Sequence, residues 1–261
     1  MDQAEWKLLK EIAELEKTPQ GAYNIRRNGA LDSRNSTANI EITTKTEPGK
    51  SGIDIRIKPG TRHESVHIPV IISQTGLSEM VYNDFFIGED CDVDIVAGCG
   101  IHNTGCETSQ HDGVHTFYVG KNSKVRYVER HYGEGDGMGE NIMNPTTVVE
   151  MDEDSYLEME TTQIKGVDST VRTTKATLGS RATLIIKEKV MTHGKQLAKS
   201  DFTVDLNGED CHTNVISRSV ARDQSHQVFL ARINGNARCY GHSECDAIIM
   251  DQGVVAAIPE V

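Results

Sequence analysis

Ile53-Asp-Ile-Arg-Ile57 opens a series of short runs in which apolar and polar residues alternate, and this series decides the fold. Alternation with a period of two places the apolar side chains on one face of an extended strand. The runs are rich in β-branched residues and are separated by Gly, Asn and Asp, so we predict strands that are mostly about four to six residues long. Further runs of this kind are Val66–Ile72, Val93–Val96 and Val125–Val128.

Turn residues recur at intervals of roughly 25 to 34 residues, a spacing that is typical of solenoids. Stacked coils of a parallel β-helix bury their inner faces in one continuous core and satisfy the backbone hydrogen bonds of their neighbours. A β-sandwich or barrel would need more tight Asn-Gly hairpins between adjacent strands. We therefore predict a mainly β protein built as a parallel β-helix. The recurring turns are Ile87-Gly88, Val119-Gly120, Glu153-Asp154, Leu178-Gly179, Asn207-Gly208 and Asn234-Gly235.

Three segments are predicted along the chain. Residues 1–20 form a short N-terminal amphipathic helix, because apolar residues recur at helical spacing and Asp2 can cap the first turn. Residues 21–52 are rich in Asn, Ser, Thr, Arg and Gly and are expected to form a loosely structured connector, in which only Asn39–Thr43 alternates like a strand. Residues 53–261 form the β-helix core domain.

Charge and composition exclude several partners. The formal net charge is −12 and no Lys/Arg-rich stripe offsets it, so neither nucleic acid nor an anionic membrane is expected to bind. The acidic N-terminus does not resemble a signal peptide, and no apolar run approaches the roughly 20 residues that span a bilayer. We therefore expect a cytoplasmic protein. Its six cysteines are predicted to be free thiols or ligands, because disulfide frameworks belong to small secreted domains.

The segment Asn236–Asp246 concentrates candidate ligands. Thiolates and imidazoles suit iron, iron–sulfur clusters and zinc, so Cys239, His242 and Cys245 are the candidate metal-binding residues. Two cysteines six residues apart would lie about 20 Å from each other on a straight strand. Cys239 and Cys245 can therefore share an ion only if Gly241 turns the chain, and burial as a small hydrophobe is the alternative for each.

The register of the last coils leaves two pairings open. If the Asn-Gly turns at 207 and 234 are equivalent, His212 lies over Cys239 and Cys211 over Arg238. A slip of one residue instead puts Cys211 over Cys239, on the opposite face.

Two other segments carry possible chemistry. A cysteine and histidine cluster matches no zinc-finger or ferredoxin spacing, so surface or structural roles compete with metal binding there. The acidic, Gly-rich segment Gly133–Glu140 lacks the Lys and Ser/Thr of a P-loop, and no other Walker-type signature appears. We therefore expect this chain neither to bind nucleotide nor to act as an ATPase. The cluster consists of Cys91, Cys99, His102, Cys106, His111 and His115.

Three segments together resemble the SufB/SufD family. They are Val128–Gly137 with Asn144-Pro145 just beyond, Cys211–Ser219, and Ser243-Glu-Cys-Asp246 ahead of an apolar strand. The resemblance runs from about Ile53 to Val261 and implies a right-handed parallel β-helix.

The resemblance also implies a function: a non-enzymatic scaffold component of a SUF-type complex that accepts sulfur and holds a nascent iron–sulfur cluster for transfer. Cys245 matches the sulfur-accepting cysteine of SufB-like members, and Cys239 and His242 are weaker ligand candidates. The implied cofactors are iron and a transient iron–sulfur cluster. The implied partners are a SufC-type ATPase, a like subunit in a homodimer or a SufB/SufD-type heterodimer, and a sulfur donor protein.

Family members continue beyond the region of Ile258 to Glu260 into a helical tail that docks the ATPase. This sequence stops before that tail, so the resemblance does not extend ATPase docking to these 261 residues. Two alternatives remain: a zinc-binding or structural β-solenoid module, and a β-helix enzyme that acts on polysaccharide. The single Trp and the negative charge count against an extended site for an acidic sugar chain.

Overall fold

The chain winds between two mainly parallel β-sheets, so that each coil contributes one strand to each sheet. The computed structural model describes residues 1–261 and shows a mostly β protein, a β-solenoid of about 7 turns with one short N-terminal helix. The predicted fold class is confirmed, and the right-handed sense of the coil stays a prediction. In chain order the elements are α1 (Gln3–Ala13), β1 (Ala22–Arg27), β2 (Ala30–Asn35), β3 (Ile40–Thr44), β4 (Gly52–Ile57), β5 (Arg62–Ile72), β6 (Ser78–Ile87), β7 (Asp92–His102), β8 (Ser109–Val119), β9 (Lys124–Glu134), β10 (Asn141–Met143), β11 (Thr146–Met151), β12 (Tyr156–Lys165), β13 (Ser169–Leu178), β14 (Thr183–Thr192), β15 (Leu197–Leu206), β16 (His212–Ala221), β17 (His226–Gly235), β18 (Tyr240–Ile249) and β19 (Val254–Glu260).

The coils stack in a register that follows the spacing of the turns. Asp92 pairs with Lys124, 32 residues on, and Tyr156 pairs with Thr183, 27 residues on. The predicted turns lie on top of one another, since the Gly120 amide donates to the Ile87 carbonyl at 3.0 Å. One sheet has the order β18-β16-β14-β12-β9-β7-β5-β1-β2 and the other β19-β17-β15-β13-β10-β8-β6-β4-β3, with β11 continuing β10 between β8 and β13.

Helix α1 lies on the outer face of the first sheet. Asp2 and Glu5 form a capping box at its start, and Glu14 ends it in the left-handed conformation. Leu8 and Ile12 are fully buried against the sheet. The helix approaches so closely that a Cβ on Gly98 would lie 2.8 Å from the Ile12 Cβ, which explains the glycine there.

The segment 21–52 is more ordered than its composition indicates. It contains β1, β2 and β3, and β1 pairs in parallel with β5 and antiparallel with β2. The expectation of a loosely structured connector is therefore wrong, because backbone pairing with the first coil orders polar residues that have no apolar alternation. The division of the chain into a helix, a connector and a core domain stays a prediction.

Most strands of the solenoid are also longer than predicted. Apart from β4, β10, β11 and β19, the strands from β4 onward have ten or eleven residues, against the expected four to six. The difference arises because many inward positions carry polar side chains, so the apolar alternation stops in the sequence where the strand continues.

Small residues occupy the corner that precedes each strand of the first sheet. Cys91 donates from Sγ to the Lys58 carbonyl at 3.2 Å, and Ser123 donates from Oγ to the Gly88 carbonyl at 2.7 Å. Cys211 donates in the same way to the Gly208 carbonyl at 3.0 Å. Because these side chains fit a tight corner, cysteine there serves the backbone first.

None of the helices in the structure combines the length and the apolar character that a membrane crossing requires.

Candidate functional site

Cys245 lies in the middle of β18, the last strand of the first sheet. It pairs with Ser217 on β16, and Ser217 in turn pairs with Glu188 on β14. Both lower residues are buried, so this column faces the interior of the solenoid. Because no further coil covers β18 in this structure, Cys245 is half-buried rather than sealed.

A small cavity opens beneath the Cys245 thiol. Its polar lining includes the Glu188 carboxylate and the hydroxyls of Ser200 and Ser217, and Phe229 forms part of its apolar wall. Ser217 donates to Glu188 Oε2 at 2.8 Å, and Ser200 donates to Glu188 Oε1. A thiol, two hydroxyls and a carboxylate therefore share one pocket at the last coil.

The electrostatics of this pocket hold the thiol in its protonated form. Burial raises the pKa of Cys245 above its ordinary value, and the carboxylates of Glu188 and Asp246 raise it further. A thiolate is the reactive form for sulfur transfer and for metal binding. Positive charge from a metal ion or a partner protein would therefore favour the reaction at this site.

The charged neighbours of Cys245 lie on the opposite face of β18. Arg218 donates to Glu244 at 2.6 Å and to Asp246 at 3.0 Å on the outer surface. His242 shares that face, with its Nε2 3.5 Å from Glu244 Oε2. Since successive side chains of a strand alternate, His242 and Cys245 point away from each other.

Cys239 is separated from Cys245 along the strand. β18 runs without a turn at Gly241, so the two cysteines are about 20 Å apart at about 3.3 Å per residue. The Tyr240 amide donates to the Cys211 carbonyl at 3.0 Å, and His212 pairs with Tyr240.

The register therefore places Cys211 beneath Cys239, as the pairing with a one-residue slip predicts. The assumed equivalence of the two Asn-Gly turns is wrong, because Leu206 pairs with Gly235 and the coil is longer by two residues on that side.

The three predicted ligands Cys239, His242 and Cys245 do not converge within one chain. No group of three or more His, Cys, Asp or Glu side chains in the structure is arranged to hold a metal ion. A ligand set that includes Cys245 therefore has to draw on another chain or on a rearrangement of this one.

The cysteines and histidines between 91 and 115 are also dispersed. Cys91 fills a corner, Cys99 faces the interior and Cys106 is exposed. Burial raises the pKa of Cys99 well above its ordinary value, and the nearby Glu79 and Glu129 carboxylates add to the rise. His111 and His115 point into the solenoid, where His111 Nδ1 lies 3.2 Å from Glu79 Oε1.

A buried polar network fills the middle of the solenoid. Arg172 donates to Glu129 at 2.7 Å, and its Nε lies 3.9 Å from Glu188. Tyr127 also donates to Glu129, at 3.0 Å. Burial alone would raise the pKa of Glu129, but the Arg172 charge and His131 hold it well below its ordinary value. The carboxylate is therefore ionised inside the protein.

His115 extends this network towards the first coils. Its Nδ1 lies 2.7 Å from the Tyr127 hydroxyl, and its Nε2 lies 3.2 Å from the Asn83 amide nitrogen. Burial lowers the pKa of His115 to about 4, so the ring is neutral at physiological pH. A neutral imidazole can donate from one nitrogen and accept at the other, which satisfies both contacts.

Sequence reasoning missed this network. Glu129, Arg172 and Glu188 occupy inward positions, where strand alternation predicts apolar residues. The signal that could have found them is the coil spacing, since Glu129, Thr161, Glu188, Ser217 and Cys245 pair successively from coil to coil.

The fold and the site define a β-solenoid protein with a polar interior and a thiol on its last coil. This chain belongs to the SufBD family of iron–sulfur assembly proteins: residues 73–261 match the family described as SUF system FeS cluster assembly, SufBD core domain. The predicted family is confirmed, and membership indicates involvement in iron–sulfur cluster assembly. The assignment to the SufB-like branch stays a prediction.

Two curated proteins are similar to this chain. An iron–sulfur cluster assembly SufBD family protein of Methanocaldococcus jannaschii is 27% identical over 225 residues, which cover 85% of this chain and 70% of that protein. An iron–sulfur cluster assembly SufBD family protein of Archaeoglobus fulgidus is 24% identical over 216 residues, which cover 81% of this chain and 56% of that protein.

Proposed function

We propose that this chain is a SufB-like scaffold that accepts sulfur on Cys245 and holds a nascent iron–sulfur cluster for transfer. The observation that carries the proposal is the position of Cys245: a half-buried thiol on the last coil, stacked over Ser217 and facing the pocket that contains Glu188. The chain acts here as a carrier, and the nascent cluster is its cargo rather than a resident cofactor.

Sulfur acceptance requires the Cys245 thiolate. The thiolate attacks the outer sulfur of a persulfide on a donor protein, the donor's sulfur–sulfur bond breaks, and the donor thiolate leaves while Cys245 becomes the persulfide. Because burial, Glu188 and Asp246 raise the pKa of Cys245, the thiol is mostly protonated until the donor docks. This arrangement favours reaction within a complex over random oxidation in solution.

Cluster holding requires more ligands than one coil provides. Cys239 and His242 are separated from Cys245, so we propose that a like subunit completes the ligand set at the exposed last coil, in a homodimer or a SufB/SufD-type heterodimer. A SufC-type ATPase and a sulfur donor protein complete the proposed partners. The solvent-facing β18 and β19 leave the site reachable for such partners.

Anaerobic reconstitution with iron and sulfide tests the proposal. Wild type and Cys245→Ser are compared by visible absorption and by bound iron and sulfide, with Cys106→Ser as the control for an exposed thiol elsewhere on the solenoid. We expect the Cys245 variant to lose most of its cluster uptake and the Cys106 variant to retain it. Equal uptake by all three proteins would remove Cys245 from the site.

A desulfurase-fed assay tests sulfur transfer separately. Labelled sulfur is supplied by a cysteine desulfurase with its donor protein, and persulfide on the chain is located by alkylation and peptide mapping. We expect the label on Cys245, and a label that persists in Cys245→Ser would refute its role as acceptor. Measuring zinc in the purified protein at the same time distinguishes a zinc-binding module from a sulfur-accepting scaffold.

A further inference from the structure

We propose that Cys211 and Cys239 form a redox-active dithiol that closes into a disulfide between the last two coils of the first sheet. The proposal rests on the register of the solenoid and on the exposure of the two thiols. It is independent of sulfur acceptance at Cys245.

The register brings the two cysteines together. His212 pairs with Tyr240, and the residues just before them, Cys211 and Cys239, occupy the same corner on adjacent coils. The Tyr240 amide donates to the Cys211 carbonyl at 3.0 Å, which fixes this alignment. Neighbouring strands lie about 4.8 Å apart, and the Cα atoms of a disulfide are usually about 4.4 to 6.8 Å apart. The backbone therefore already has the separation that a disulfide needs.

The other cysteines have no such neighbour. At the equivalent corner, Cys91 lies beneath Ser123, whose hydroxyl accepts from the Cys91 amide at 3.0 Å. Cys99 pairs with Val70 and His131, and Cys245 pairs with Ser217. Cys211 and Cys239 are thus the only thiols that face each other across paired coils.

The two thiols differ in a way that sets the order of the reaction. Cys239 is half-buried and packs at the open end of the core, whereas Cys211 is fully buried and donates to the Gly208 carbonyl. Burial raises the pKa of Cys211, and the neighbouring Cys239 raises it further. Cys239 is therefore the thiol that meets an oxidant, and Cys211 is the resolving thiol.

The oxidant is a small disulfide, RSSR. The Cys239 thiolate attacks one sulfur of RSSR, one RSH leaves, and a mixed disulfide forms on Cys239. Cys211 then attacks the Cys239 sulfur and displaces the second RSH. The two protein thiols lose two electrons and two protons, and RSSR becomes two RSH. The product joins the corners that precede β16 and β18 and thereby fixes the coil that carries Cys245.

Oxidised glutathione is the probe that tests the proposal. The reduced protein is equilibrated anaerobically in glutathione buffers, the remaining thiols are alkylated, and the products are mapped by mass spectrometry. Digestion with trypsin and a Glu-specific protease separates the three relevant thiols, because cleavage after Glu209, Arg238 and Glu244 leaves Cys211, Cys239 and Cys245 in different peptides.

Three variants complete the experiment. Cys211→Ala removes the resolving thiol, and alanine is compatible with the corner because Ala182 occupies it one coil below. Cys239→Ser removes the attacking thiol, and Ser123→Cys places a second thiol beside Cys91 as a test of the corner geometry. Far-ultraviolet circular dichroism verifies that each variant is folded.

We expect the wild type to give the peptide that joins Cys211 to Cys239, with Cys91 remaining free. In Cys211→Ala, glutathione should accumulate on Cys239 to a level roughly ten times that of the wild type, because nothing resolves the mixed disulfide. Ser123→Cys should create a second linked pair. Equal glutathione adducts in the wild type and Cys211→Ala, or a disulfide from Cys239 to another cysteine, would overturn the proposal.

Discussion

Replacing Arg172 with Met should destabilise the solenoid far more than breaking an ion pair on its surface. Arg172 and Glu129 are buried side chains, 7% and 4% exposed, whose nitrogen and oxygen lie 2.7 Å apart. Methionine retains much of the arginine's length, but it leaves the Glu129 carboxylate without a cation. The remaining partners are the Tyr127 hydroxyl at 3.0 Å and His131 at 3.6 Å.

The magnitude follows from the burial of the charge. Removing one partner of a buried ion pair typically costs about 3 to 5 kcal/mol, since the other charge stays in a low-dielectric interior without compensation. We therefore expect Arg172→Met to lower the free energy of unfolding by about 3 to 5 kcal/mol at pH 7. Lys187→Met is the matched control, because Lys187 and Glu158 lie 2.7 Å apart but are 44% and 23% exposed. Its expected cost is below about 1 kcal/mol.

The pH dependence provides a second and sharper test. In the wild type, Arg172 holds the pKa of Glu129 well below its ordinary value of 4.5, so the pair contributes stability above that pH and loses it as the pH falls through the folded-state pKa. In Arg172→Met, burial instead raises the pKa of Glu129, and protonation as the pH falls relieves the uncompensated charge. The difference between wild type and variant should therefore shrink as the pH falls from 7 towards 4.

Urea unfolding followed by circular dichroism measures both effects. Wild type, Arg172→Met and Lys187→Met are compared at pH 7 and near pH 4, with the double variant Glu129→Gln/Arg172→Met as an internal check. The double variant should recover part of the loss, because it removes the charge that Arg172→Met leaves unpaired. Equal losses for the buried and the surface variant, or a loss for Arg172→Met that does not depend on pH, would refute the reasoning.

Three further changes test other parts of the structure. Gly98→Ala adds a Cβ 2.8 Å from Ile12, so it should displace α1 at a cost of about 1 to 3 kcal/mol and speed hydrogen exchange over residues 3–13; unchanged protection would contradict the close approach. Glu188→Gln removes the carboxylate that raises the pKa of Cys245, so alkylation of Cys245 at pH 8 should accelerate roughly threefold, and a slower reaction would count against that effect. His115 has its pKa lowered to about 4 from an ordinary 6.5, so the stability gained by burying the neutral ring is lost as the pH falls from 6.5 towards 4; His115→Gln should flatten this slope in urea titrations, and an unchanged slope would assign it to other groups.

Local patterns were enough to predict the solenoid and its first helix. The capping residue and apolar spacing predict α1, which begins after Asp2 in the structure. Turn residues such as those at Gly88 and Gly120 recur once per coil, and the structure stacks these two turns directly. Both features depend on residues that are close in sequence, and for that reason the sequence shows them.

The family was also visible in the sequence, because the Ser243–Asp246 motif and its neighbours occupy one continuous stretch within the matched residues 73–261. The candidate site was predicted only in part. Cys245 lies at an exposed coil as a sulfur acceptor would require, but the other two predicted ligands, Cys239 and His242, are separated from it by distance and by strand face.

Composition, turns and the motif around Cys245 thus determined by themselves that this protein is a β-solenoid with a thiol near its last coil. Only the tertiary structure decided that Cys239 lies over Cys211 and that Glu129 and Arg172 meet inside the core. The physical reason is register: side chains alternate every residue, so a coil that is one residue longer or shorter exchanges the inner and outer faces. Coil length varies here from 27 to 32 residues, and only the folded backbone fixes which residues are neighbours.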